Sequence, residues 1–63
     1  VSTLQLLERE IQKNKYTIEI LHLQLVDIID IIEKNEYINK IEDLQSDNED
    51  YLKSIKILDS LND

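Results

Sequence analysis

His22 is the only imidazole in a chain that also lacks cysteine, so a transition-metal site would have to be built around it. Its neighbours at helical spacing are Ile18, Glu19, Leu25 and Val26. One carboxylate beside one imidazole falls short of the three or four ligands that zinc takes. A partly exposed side chain flanking a packed seam is the expected role, and neither metal nor cofactor is expected. The run EDLQSDNED, residues 42–50, gathers five acids without a base. A calcium loop of the helix–loop–helix kind needs a central glycine and oxygen ligands at fixed intervals. This run has neither, and reads as a solvated face on which like charges loosen the helix. No nucleophile stands next to a base and no glycine-rich phosphate loop is present, so the chain is not expected to be an enzyme.

The remaining polar residues of interest are asparagines. Asn14 and Asn35 each follow an isoleucine by three residues, in IQKN and IEKN. These two short stretches resemble the Ile-then-Asn layers of trimeric fibrous adhesin stalks, in which core asparagines gather an anion. Lys15 and Glu36 stand where those stalks usually carry threonine. A polar layer that sets register is the role such residues take in coiled coils at large.

What must position these residues is helix. The 63-residue chain contains no Gly, Pro or Cys, so tight turns, sharp helix stops and disulfide staples lack their usual residues. Hydrophobic residues make up 41% of it, too many for a disordered tail despite a net charge of -7. That charge, with Lys and Arg scattered, disfavours nucleic acid and anionic membrane surfaces as partners. No apolar run is long enough to span a bilayer. The absence of Cys leans toward an intracellular setting, and a start at Val1 suggests one coiled-coil segment of a larger protein.

Two apolar stripes carry the fold. The first is Leu4, Leu7, Ile11, Asn14, Ile18, Leu21, Leu25, Ile28 and Ile32, in alternating steps of three and four. The a positions are Leu4, Ile11, Ile18, Leu25 and Ile32; the d positions are Leu7, Asn14, Leu21 and Ile28. The second stripe is Tyr37, Ile41, Leu44, Asn48, Tyr51, Ile55 and Leu58, and Tyr37 and Tyr51 are expected to pack in its core. Heptads over this length predict a coiled coil. Ser2 with Gln5 reads as a capping box that opens the first helix.

Between Ile28 and Tyr37, both at d, the register shifts within 33–37. Two extra residues turn the stripe by roughly 200°. A continuous rod, roughly 90 Å long, absorbs this by overwinding, with a seam that runs through Ile31, Asn35 and Ile38. A helical hairpin turning at Glu33–Lys34–Asn35–Glu36 absorbs it with a loop, Asn35 being the residue there that tolerates a left-handed conformation. That hairpin sets Asn14 against Ile55 and Asn48 against Leu21, which strands both amides at about 1–3 kcal/mol each. The amides therefore favour the rod, in a parallel bundle where each asparagine meets its own copy. A break at Ser46–Asp47–Asn48 is a third possibility, because Ser46 with Glu49 repeats the capping-box spacing.

Ile20, Leu23, Ile29, Ile31, Ile38, Leu52 and Leu61 lie off both seams, which points to three or four helices per layer rather than two, or to a hairpin that dimerises into a four-helix bundle. The expected function is homo-oligomerisation within a structural or scaffold protein, joining and spacing flanking domains. The alternative is an adaptor helix or hairpin that completes a coiled coil with a different chain. The oligomer interface expected from the seams is the two stripes above together with Asn35 and Ile38.

Overall fold

The computed structural model describes residues 2–61 and is all-helical, with α1 spanning Thr3–Leu25 and α2 spanning Ile31–Leu61. The two helices fold back on each other into a hairpin of 50 × 17 × 12 Å. The long continuous helix that the asparagines favoured does not form. The reversal lies at Val26–Asp30, ahead of the tetrad at 33–36 where the register shift placed it.

Local chemistry explains both helix starts. Ser2 Oγ accepts from the Gln5 N–H at 3.2 Å, and Gln5 Oε1 accepts from the Ser2 N–H at 3.2 Å. The capping box is therefore complete, and it satisfies two donors that the first turn leaves without helical partners. At the start of α2, Asp30 does the same work. Its Oδ1 accepts from the Ile32 N–H at 2.9 Å, while its carbonyl accepts from the Lys34 N–H at 2.9 Å. Glu33 in the first turn adds a carboxylate at the positive end of the helix dipole.

The end of α1 is made without a left-handed residue. Val26 keeps right-handed helical angles, and the Asp27 and Ile28 N–H groups bond back three residues to Gln24 and Leu25. Such tightened bonds consume the last free carbonyls of the helix. No described residue has positive φ, so Asn35 has no such role; it lies within α2, exposed. Helix α2 also runs unbroken through Ser46–Asn48. Its stripe continues there in steps of three and four, and Asn48 is held in the seam, so the second capping-box pattern opens nothing.

The core is a single seam between the helices. Ile11, Leu21 and Ile41 are its buried apolar residues, Asn14 and Asn48 its buried polar ones.

Candidate functional site

The two asparagines bond to each other. Asn14 Nδ2 donates to Asn48 Oδ1 at 2.9 Å, and Asn48 Nδ2 donates to the Ile11 carbonyl at 3.3 Å. Each asparagine is 8% exposed, and no described buried side-chain nitrogen or oxygen lacks a partner. The pair fixes the level of one helix against the other. Each step along α1 towards the turn is matched by one step back along α2. Leu21 then stands level with Ile41, Ile18 with Leu44, and Leu25 with Tyr37. In the other direction Ile11 stands level with Tyr51, Leu7 with Ile55, and Leu4 with Leu58. Every layer sets an a residue against a d residue, as antiparallel packing requires.

This register lies one heptad away from the hairpin register expected from the shift at 33–37. An offset of seven residues keeps every a-against-d layer and changes only which amide meets what. The stripe of α2 also begins one step earlier than the apolar residues suggest, because half-buried Lys34 occupies its first position. The apparent phase break thus belongs to the turn and not to a helix.

Most of the expected interface residues lie on this intrachain seam. From Leu4 to Ile28 on the first stripe, and from Tyr37 to Leu58 on the second, each is buried or half-buried. Three do not join them: Ile32, Asn35 and Ile38 are exposed. Ile32 follows the turn instead of closing α1, so its side chain falls outside the seam, 68% exposed. Asn14 and Asn35 share no layer, since one is in the core and the other on the surface.

Two flanks border the seam, and they differ. One carries Glu10, Thr17 and Gln24 from α1 with Lys40, Asp47 and Ser54 from α2, and beside them exposed Leu6, Ile57 and Leu61 and half-buried Ile20. The other carries Lys15 and His22 from α1 with Ile38, Gln45 and Leu52 from α2. A shallow groove runs along this second flank, lined by Lys15, Ile18, Glu19, Gln45, Asn48 and Leu52 among others. It is continued by Glu8, Ile11, Gln12 and Ile55. Away from the seam, exposed Tyr16 and Leu23 flank half-buried Ile20 along the far face of α1. Val26, Ile29, Ile31 and Ile32 crowd the turn, Ile29 being 95% exposed and Val26 83%.

Charge is divided unevenly. In α1, Glu8, Glu10 and Glu19 are balanced by Arg9, Lys13 and Lys15, so among the described residues the net acidity resides in the turn and α2. Glu42, Asp43, Asp47, Glu49 and Asp50 are all exposed. His22 is exposed in the last turn of α1, and among the described residues no three metal-ligating side chains converge. No described helix is long and apolar enough to cross a membrane.

The asparagine pair and the Asp30 cap are the two determinants that the pattern of apolar residues leaves out. Asp30 followed by Glu33 has the spacing of a helix start, and it was readable in DIIE at 30–33. The pairing of Asn14 with Asn48 follows from testing the hairpin one heptad away. Compared with known protein families, curated proteins and solved structures, the chain shows no significant match to any.

Proposed function

We propose that this chain is a self-associating helical hairpin, a coiled-coil oligomerisation module that joins copies of whatever domains it is fused to and fixes their spacing. The observation that carries this reading is the imbalance of its apolar surface. Among the described residues three apolar side chains are buried, whereas Leu23, Val26, Ile29, Ile31, Ile32, Ile57 and Leu61 are each more than 60% exposed. Docking one such side chain against another helix is worth about 1.5–3 kcal/mol. A second hairpin supplies the missing helices and makes four per layer, the arrangement in which a flank such as Ile38–Leu52 becomes core. The role is stoichiometric, not catalytic: it raises the local concentration of attached domains.

Sedimentation equilibrium over a hundredfold range of concentration tests this. One defined oligomer is expected, with a melting temperature that rises with concentration. A compact monomer that melts cooperatively at every dilution overturns the reading.

A second reading has its own observation. Tyr16, Ile20 and Leu23 form an apolar strip on the far face of α1, spaced to receive one more helix. On that reading the hairpin is an adaptor completed by a different chain, and it aggregates unless that chain is co-expressed.

A further inference from the structure

We propose that this chain has two hairpin registers, one heptad apart, and that the Asn14–Asn48 pair is the latch that holds it in the observed one. Both are states of a single chain, whatever its oligomeric state. The ambivalent segment is 26–32. In the structure it makes the turn and opens α2, with Ile28 level with half-buried Lys34 and with Ile29, Ile31 and Ile32 exposed. Yet Ile28 and Ile32 also continue the stripe of α1 beyond Leu25 in steps of three and four, and no Gly or Pro forbids a helix through them. What ends α1 is a pair of tightened bonds, from Asp27 to Gln24 and from Ile28 to Leu25; what opens α2 is the Asp30 cap.

Carrying α1 on through Ile32 moves the turn to 33–36, where Asn35 tolerates a left-handed conformation. Every level then changes by one heptad. Ile32 meets Tyr37, Ile28 meets Ile41, Leu25 meets Leu44 and Ile18 meets Tyr51, each an a against a d. Ile32, 68% exposed in the observed register, enters the seam, and Lys34 leaves it. Half-buried Leu4 and Leu7 pass beyond Leu58 at the open end. An apolar seam thus exists in both registers, and the amides decide between them. In the slid register Asn14 falls opposite Ile55 and Asn48 opposite Leu21, so two buried amides that are paired in the observed one lose their partners. The slide advances α1 along α2 by about 10 Å, so the latch also sets the stagger between the two ends of the hairpin.

Moving the latch tests this without changing composition. Asn14→Leu with Leu21→Asn sets an α1 amide against Asn48 only after the slide. Asn48→Ile with Ile55→Asn does the same from α2, where the new amide meets Asn14. Spin labels at exposed Gln24 and Ser54 give one intrachain distance, and labels at exposed Glu10 and Lys40 give another, each measured in an excess of unlabelled copies. In both exchanged proteins the first distance is expected to shorten by about 10 Å and the second to lengthen by as much. Distances that stay as in the unexchanged chain overturn the proposal, because the asparagines then do not set the level. Both distances lengthening together, or loss of the helical circular dichroism in both exchanged proteins, overturns it as well, because the chain then has no second register to enter.

Discussion

Asn14 and Asn48, thirty-four residues apart in the chain, share a 2.9 Å hydrogen bond in the middle of an otherwise apolar seam. The bond couples them energetically. Replacing Asn14 alone by Leu leaves the Asn48 amide buried without its partner, a penalty of about 1–3 kcal/mol. Replacing Asn48 alone does the same to Asn14. The pair Asn14→Leu with Asn48→Leu removes both polar groups, and its stability is expected to exceed that of either single variant. Urea denaturation of the four proteins at one fixed concentration measures the coupling as a double-mutant cycle. Strictly additive losses would show that the two amides do not meet.

How much of this was legible turns on the heptad. The all-helical class, the two stripes and the Ser2 cap follow from apolar spacing and from Gln5 three residues on. The reversal point does not, because a hairpin can slide by seven residues and still set every a against a d. Apolar periodicity is blind to that slide. Only the polar layers distinguish the two registers, and one of them leaves Asn14 and Asn48 opposite Ile and Leu. The asparagines therefore select the observed turn, because only the register one heptad away from the hairpin turning at 33–36 sets Asn14 against Asn48. Asp30 was a local signal of the same turn. The surroundings of Lys34 were harder to foresee, since nothing in a charged residue's identity says that its stem completes an apolar stripe.

The turn itself gives a second prediction. Lys34 and Asn35 lie inside α2, so Gly at both positions is expected to cost about 1 kcal/mol through lost helix propensity. Ile29 lies between the helices and is exposed. Ile29→Gly is expected to change stability by less than about 0.5 kcal/mol when measured below the association range. Thermal melts followed by circular dichroism compare the two. The reverse order of sensitivity would move the turn to 33–36.

Helix starts supply a third. Asp30 holds the Ile32 N–H through its side chain, and Asp30→Ala is expected to destabilise the hairpin by about 0.5–2 kcal/mol. Ser46 has the same spacing to Glu49 but lies within a continuous helix, so Ser46→Ala is expected to be neutral or slightly stabilising, as alanine is the better helix former. A loss at Ser46 equal to that at Asp30 would mean that α2 is broken there.

Distance between the chain ends separates hairpin from rod without perturbing either. With spin labels at positions 3 and 61, packed helices 8–10 Å apart put the labels within about 20 Å of each other, tethers included. A continuous helix would hold them roughly 90 Å apart. Labelled chains diluted into an excess of unlabelled protein report the intrachain distance alone, whatever the oligomer. A dominant long distance would remove the hairpin.

The sharpest contrast lies between two isoleucines nine residues apart on α2. Ile41 is 4% exposed at the level of Leu21, and its truncation to Ala is expected to cost about 2–5 kcal/mol, the transfer loss plus the cavity left behind. Ile32 closes the first stripe by spacing alone, yet it lies beyond the turn and in solvent. Ile32→Ala is expected to leave the unfolding free energy of the dilute hairpin within about 0.5 kcal/mol of its starting value. Any larger effect of Ile32 should appear only as concentration rises and a second copy covers the turn. A concentration-independent loss at Ile32 that matches the loss at Ile41 would place both in one intrachain seam, which this turn cannot accommodate.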